Sequence, residues 1–364
     1  MIELDGLSIV TVNYNSSDYV FELVDSIVSS LESCDYCLEV ELIVIDNASE
    51  PVDFERLGEL RSHSSIDIKL WRNNYNLGYA GAVNIGVRVA SRNNLMVSNP
   101  DIVLSKEFMG VLSKIIKNKI NNKKIIAPKI LIKRSNTVNS KGLDLHIAGY
   151  GILRGLGEPP DKPDGASIIT APHGALFISD RRTLLDLGPF DPYLYAFLED
   201  LDLGLRAWAK GYPVVYIPSL TAYHDWGVSW GRGLSRTKYY LVERNRLLVL
   251  ARDYPRKLLA TGLPFIVLSE ILSLAYALTR GYTSTKARIY GDLALSLPRI
   301  LRQRRSILRD GGESRLMGAL SDRVVVDFRH VVFEARRVAL VNRLFRGLAS
   351  LLAPLIPGRR GAST

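Results

Sequence analysis

At 364 residues the chain is long enough for one large core and a second element, and its two cysteines exclude a small disulfide-stapled module. The net charge of +10 is unevenly spread: residues 1–235 carry 23 Lys/Arg against 28 Asp/Glu, while residues 236–364 carry 24 against 9. A mildly acidic body with a tail of +15 calls for an anionic partner, a nucleic acid or a membrane surface.

In chain order, Met1 to Asp5 is acidic and leads straight into a strand, so no secretory signal opens the chain and the catalytic part is expected to face the cytoplasm. Leu7 to Asn13 is an apolar, β-branched run, and Asp18 to Leu31 follows with helical spacing of Val20, Leu23, Val24, Ile27, Val28 and Leu31. Cys34 and Cys37 make a lone C-x-x-C with no second pair and read as structural or incidental. Val40 to Asp46 is a second buried strand ending in Asp46-Asn-Ala-Ser49, which completes a βαβ unit and implies a parallel sheet. A third strand, Ile66 to Trp71, precedes Asn76-Leu-Gly78, Gly81 and a helix through Ala90, and a fourth, Asn94 to Ser98, ends in Asn99-Pro100-Asp101. Polar clusters just past parallel strands should converge on one crevice.

Glu107 to Lys124 predicts a basic amphipathic helix, and strand character resumes at Ile125 to Ile132. The Gly- and Pro-rich residues 135–168 yield no element. Ser167 to Ser179 reads as a strand pair or a bent strand, Arg181 to Leu187 as a short helix, and Tyr212 to Pro218 as a short strand leading to Ala222-Tyr-His-Asp-Trp226.

Between these lies the stretch from Gly188 to Arg206. Turns at Gly188-Pro189 and Asp191-Pro192 feed an aromatic loop of Tyr193, Tyr195 and Phe197, then a helix whose first turn carries Glu199, Asp200 and Asp202. Acids at a helix start complement its dipole, and Asp202 is placed to pair with Arg206 one turn on. Asp200 exceeds that role, because an aromatic loop entering paired acids is suited to stacking a ring and removing a proton beside it. Elsewhere, Asp46 reads either as a cap or as an acceptor for a nucleobase N–H, the glycines after Asn76 expose backbone N–H groups to a phosphate, and Asn99-Pro-Asp101 offers a hard oxygen to Mg²⁺ or Mn²⁺. His224 is either an ordinary core or surface histidine or a further metal ligand.

The tail differs in kind. Arg236 to Arg252 predicts a basic helix with Arg244-Asn-Arg246 at its middle, and Leu258 to Leu278 is 21 residues of nearly unbroken apolar character, with Pro264 and Glu270 inside. That length spans a bilayer core of about 30 Å, but a mid-span Glu costs roughly 2–3 kcal/mol, which a helix lying on the surface or against its neighbours avoids. Arginines cluster at Arg299 to Arg309, and Val338 to Ile356 is apolar with embedded arginines. This apolar length favours a membrane-surface tail and no nucleic acid, with self-association through the tail a further expectation.

Taken together, Ser8 to Tyr14, Asp46-Asn-Ala-Ser49, Asn76-Leu-Gly78, Asn99-Pro-Asp101, Gly174-Ala-Leu-Phe177, Gly188 to Arg206, Gly211-Tyr212 and His224 resemble glycosyltransferase family 2, the inverting enzymes of GT-A fold, in particular its rhamnosyl- and galactofuranosyl-transferase-like branch. The resemblance covers about residues 7–250. It implies an α/β fold with a mostly parallel sheet flanked by helices, a catalytic domain over 1–235, and a helical membrane-associated extension over 236–364. It implies transfer from a nucleotide-sugar donor to a glycan or lipid-linked acceptor on the cytoplasmic side of a membrane, with Mg²⁺ or Mn²⁺ as cofactor. By the same resemblance Asn13, Asp46, Asn76, Gly78, Asn99 and Asp101 face the donor, Asp200 is the base with Glu199 beside it, Gly174 and Ala175 line the acceptor side, and Asp101 and His224 hold the metal. Asn99 stands where the family's metal motif has its first acid, so metal affinity would rest on Asp101 and His224.

Rival readings meet specific obstacles. A dinucleotide-dependent oxidoreductase needs G-x-G-x-x-G after the first strand, and Asn13 to Asp18 contains no glycine. A nucleotidyltransferase would need a Gly-rich, basic loop at that place. A nucleotide-sugar-binding protein with little activity is the remaining alternative, against which stand the intact Asp46, Asp101 and Asp200.

Overall fold

Strand β1 (Gly6–Asn13), helix α1 (Ser17–Glu32) and strand β2 (Glu39–Asp46) form the expected βαβ unit, with β1 and β2 parallel from Gly6 opposite Glu39 to Asn13 opposite Asp46. The structure is a computed structural model that describes residues 6–34, 38–60, 66–225, 233–328 and 335–352; Met1 to Asp5, Cys37, Trp226 and residues 353–356 lie outside the described residues. After α2 (Pro51–Leu57) come β3 (Asp67–Arg72), α3 (Gly78–Val89), β4 (Asn94–Ser98), β5 (Ile102–Leu104), α4 (Phe108–Lys117) and β6 (Ile125–Ile132). The helix expected to run from Glu107 to Lys124 stops at Lys117, where Lys119 and Lys123 take φ of +53° and +54°, backbone that no helix accommodates.

Residues 135–168, which yield no element by periodicity, hold β7 (Val138–Ser140), β8 (Leu143–His146), β9 (Gly151–Leu153) and β10 (Ser167–Ile168). Strands of two to four residues are defined by their partners, so no period could reveal them. Next come β11 (Leu176–Asp180), α5 (Arg181–Leu187), a 3₁₀ turn (Pro192–Leu194), α6 (Glu199–Lys210) and β12 (Val214–His224). β12 runs past the predicted end at Pro218 through an irregularity between Ile217 and Thr221.

Among the described residues the main sheet has ten strands, eight of them in the order β10-β12-β6-β11-β4-β1-β2-β3. The order reverses beside β1, with β2 and β3 to one side and β4 to the other, which opens a crevice at the strands' carboxyl ends. Alternation fills both faces. Leu7 and Ile9 pack with α1 and α4, whereas Val10 and Val12 pack with α3, α5 and α6.

The C-terminal part is helical: α7 (Arg236–Asp253), α8 (Arg256–Arg280), α9 (Thr283–Leu308), α10 (Gly312–Leu320), a two-residue strand β13 (Val324–Val325) and α11 (Ala335–Leu351). Leu201 and Leu205 of α6 share a core with Val249, Leu250, Tyr254 and Leu258, so this part is packed onto the sheet domain. Helix α8 is long and apolar enough to cross a membrane, and 28% of its most apolar window is buried. Its Glu270 is held by Arg246, by Lys286 at 3.0 Å and by the Tyr290 hydroxyl at 2.7 Å. Away from the buried Leu258, Phe265, Ser269 and Ala277, the helix exposes Leu263, Val267, Ile271, Leu274 and Leu278 at helical spacing.

Candidate active site

The loop that enters α6 is strained and clamped. Tyr195, Phe197 and Leu198 have φ of +64°, +71° and +62°, a region that non-glycine residues enter only when the surroundings impose it. Helix α7 supplies the restraint. The buried Asn245 amide donates to the carbonyls of Leu194, Ala196 and Phe197 at 2.8, 2.9 and 2.8 Å, and Arg244 donates to the carbonyls of Tyr193 and Leu194 at 2.8 and 3.1 Å. From the far side the Tyr195 hydroxyl donates to Asn76 Oδ1 at 3.0 Å, and its carbonyl accepts from the Ala80 N–H at 3.0 Å. Gly78, at φ +72°, is required here, because a Cβ would lie 2.5 Å from the Tyr195 ring.

The loop delivers the acid pair to one point. Asp200, partly exposed, accepts from the Gly174 N–H at 2.8 Å and from the Leu201 N–H at 2.8 Å. Gly174 fits because it has no side chain; a Cβ there would stand 3.2 Å from Asp200 and 3.3 Å from Glu199. Burial pushes the Asp200 carboxyl up to about 6, against the pull of its backbone hydrogen bonds. Glu199 is buried, with Oε2 unpartnered among the described residues, and burial first and the neighbouring Asp200 second hold it well above the usual carboxylate range. Near neutral pH, therefore, Glu199 keeps its proton and Asp200 carries the charge. Asp202 takes the structural part: burial would raise it, but Arg206 at 2.7 Å and Arg252 outweigh burial and keep it low.

Across from the pair, Asp101 Oδ2 lies 3.3 Å from His224 Nε2, and Asp101 Oδ1 is buried without a hydrogen-bond partner among the described residues. His224 Nδ1 lies 3.0 Å from Asn139 Oδ1, and its ring stands edge-on to His173 at 5.9 Å. The Asn99 N–H donates to the Ala175 carbonyl at 2.8 Å, and the Tyr79 hydroxyl donates to the Gly174 carbonyl at 2.7 Å. Tyr79 is pushed well above its ordinary value by burial first and then by Glu199, Asp200 and Asp101, so it feels all three acids at once. The structure thus brings Asn99, Asp101, Gly174, Ala175, Glu199, Asp200 and His224 to one place. Sequence reasoning missed Tyr79 and His173, although the latter immediately precedes Gly174.

Asn13 and Asp46 lie apart from this point, at the ends of β1 and β2, and both are buried. Asn13 donates to Asp46 at 2.9 Å and to Ser49 at 3.0 Å, and Asp46 also lies 3.5 Å from Arg72. Next to them Asn47, not singled out from sequence, donates to Asn76 Oδ1 at 2.8 Å and accepts from the N–H of Leu77 at 3.0 Å. Asn76 in turn accepts from the Gly78 N–H and from Tyr195, so this end of the crevice is tied through two asparagines to the loop before α6.

An orphaned, buried carboxylate oxygen beside an imidazole is a donor set that suits Mg²⁺ or Mn²⁺. Among the described residues no three His, Cys, Asp or Glu side chains are grouped to hold an ion by themselves. A metal here would need oxygens from a ligand as well.

No curated protein matches the chain. Among solved structures, GalNAc-T7 with UDP, GalNAc and Mn²⁺ is similar over 80% of this chain at 17% identity with a TM-score of 0.58, and the chain spans 55% of that protein's length. Residues 1–349 of S. aureus TarS are similar over 86% of this chain and 89% of that one, at 14% identity with a TM-score of 0.52. At such identities the likeness is one of fold. Residues 8–169 match the family model for glycosyl transferase family 2, and residues 165–297 match that for glycosyl transferase family group 2. With both models laid end to end across the sheet, the acid pair and helices α7 and α8, the chain belongs to glycosyltransferase family 2.

Proposed function

We propose that the protein is an inverting transferase that moves a sugar from a nucleotide-diphosphate donor to a hydroxyl of a glycan or lipid-linked acceptor. The observation that carries this reading is the acid pair, in which Asp200 is oriented by two backbone N–H groups, raised to about 6 and partnered by a protonated Glu199. A base with its pKa just below working pH is both ionised and strong enough to take a proton from a hydroxyl. Asp200 accepts the acceptor's proton while that oxygen bonds to the anomeric carbon. The bond from that carbon to the diphosphate oxygen breaks, and its electron pair leaves with the diphosphate. Attack opposite the leaving group inverts the centre.

Asp101 and His224 would hold a divalent cation, which when bound would neutralise charge on the departing diphosphate. The nucleotide would lie toward Asn13, Asp46 and Asn76. Structures sharing the fold hold UDP-GlcNAc, in TarS, or UDP and Mn²⁺, in GalNAc-T7, which supports this class of donor. The catalytic unit extends through α7, whose Asn245 holds the loop before α6. Beyond it α8, with its apolar outer side and the tail's positive charge, would rest on the cytoplasmic surface of a membrane.

Donor binding tests this reading. Mn²⁺ is expected to strengthen the thermal stabilisation given by a nucleotide sugar; Asp101→Ala should remove the Mn²⁺ response and His224→Ala weaken it. Stabilisation by no nucleotide sugar, or an Asp101→Ala protein responding to Mn²⁺ like the wild type, would contradict the assignment.

A further inference from the structure

In the sheet His224 lies between β5 and β6, opposite Ile102 on one side and Ile132 on the other, so its backbone is fixed on both edges. Its ring nitrogens meet two different groups: Nε2 lies 3.3 Å from Asp101 Oδ2, and Nδ1 lies 3.0 Å from Asn139 Oδ1. An amide oxygen can only accept, so the hydrogen of a neutral ring sits on Nδ1 and Nε2 keeps its lone pair. That lone pair then faces a carboxylate oxygen. Two acceptors so placed repel one another unless they share a cation.

Asn139 reaches His224 through an irregularity in β7. Ser140 stands opposite Ile130 of β6 and Val138 opposite Leu131, which leaves Asn139 as an extra residue between two paired ones. A bulge of this kind takes one side chain out of the strand's alternation and re-aims it. The end of β7 is fixed in turn by the Ser140 hydroxyl, which donates to the Gly142 carbonyl at 3.0 Å and accepts from the Gly142 N–H at 2.9 Å. Asn139 is wholly buried, and its Nδ2 has no partner among the described residues. A buried donor left unpaired costs about 1–3 kcal/mol, so the amide does not serve the fold through its nitrogen; the bond it makes is the one to His224.

We propose that Asn139 is a positioning residue that fixes His224 in the Nδ1–H tautomer and so turns the Nε2 lone pair toward a divalent cation shared with Asp101. This rests on reading Asp101 and His224 as the cation's ligands. Partners that orient a ligating histidine from behind typically change metal affinity about 10–100-fold when they are removed.

Mn²⁺ is titrated by EPR into the full-length protein holding whichever of UDP, GDP and TDP stabilises the wild type most, so that occupancy is read and not turnover. Asn139→Leu removes both ends of the amide and is expected to weaken Mn²⁺ at least about tenfold. Asn139→Asp keeps an acceptor against Nδ1 while removing the donor, and should hold Mn²⁺ as tightly as the wild type or more so. Nucleotide affinity without Mn²⁺ should be unchanged in both. Long-range ¹H–¹⁵N NMR of the metal-free wild type, with the signal assigned by its loss in His224→Ala, should show the His224 hydrogen on Nδ1; in Asn139→Leu it should move to Nε2 and donate to Asp101. Equal loss of Mn²⁺ in two variants that melt like the wild type would make the amide a donor and overturn the proposal. Wild-type Mn²⁺ affinity in both variants, or a wild-type hydrogen on Nε2, would overturn it as well. A wild type that binds no Mn²⁺, or a His224→Ala protein that binds it undiminished, would instead remove the metal reading itself, and the role given to Asn139 with it.

Discussion

Asp200→Asn is expected to reduce turnover on the order of 10²–10⁴-fold while leaving nucleotide-sugar binding nearly intact, because the carboxylate acts on the acceptor hydroxyl and not on the nucleotide. The amide keeps the size of the side chain and can still accept from the Gly174 N–H at 2.8 Å, so geometry is preserved and basicity alone is lost. Glu199→Gln serves as the contrast. Burial and Asp200 hold Glu199 protonated, and Gln mimics that form, so most turnover should survive. The pH profile carries the same signature: Asp200 is active only when ionised, and its raised value of about 6 means that kcat should fall as pH drops through about 6 and level off above it. A few per cent of wild-type turnover in Asp200→Asn, with Glu199→Gln inactive, would reverse the two roles.

The second large effect is expected from a residue outside the crevice. Asn245→Ala removes the donor shared by the carbonyls of Leu194, Ala196 and Phe197, each buried or partly buried. The Leu194 carbonyl keeps its bond from Arg244, but those of Ala196 and Phe197 lose this donor; an unsatisfied buried acceptor costs about 1–3 kcal/mol, and the left-handed conformations at Tyr195, Phe197 and Leu198 lose what holds them. We expect a lower Tm and a loss of kcat of at least 100-fold, with a smaller change in donor KM. Asn245 is a positioning residue, and the pH profile distinguishes that role from stability alone. A relaxed loop exposes Asp200, so the acid limb should move from about 6 toward the ordinary carboxylate range. If kcat falls while the limb stays near 6, Asn245 contributes stability and nothing more.

Much of the sheet was legible in the sequence because it rests on local pattern. β1, β2 and β4 are mostly apolar, β-branched strands buried on both faces, and α5 begins at a strand end with Asp180 capping the Thr183 N–H at 2.8 Å. Asp200 was legible for a related reason, since paired acids after an aromatic loop stand out without knowledge of what they face. Tyr79 was not: its meaning comes from Gly174, 95 residues away, which no periodicity connects to it. Asn245 shows the same limit. Arg244-Asn-Arg246 was visible as a motif in the middle of a basic helix, but nothing local to that helix marks Asn245 and Arg246 as fully buried. Glu270 is the converse case. Its position in an apolar run suggested a penalty, and the ion pairs with Arg246 and Lys286, from two other helices, are what remove it.

The central claim, transfer with inversion by a single displacement at Asp200, is tested most directly by the anomeric configuration of the product. Purified full-length protein would be supplied with an α-linked nucleotide sugar, Mn²⁺ and a hydroxyl acceptor, and the product's anomeric ¹H–¹H and ¹H–¹³C couplings read by NMR before any mutarotation. The account predicts the β-linked product from the wild type and, from Asp200→Asn, the same product at a rate at least about 100-fold lower. An α-linked product, or transfer by Asp200→Asn at a rate near the wild type's, would contradict it.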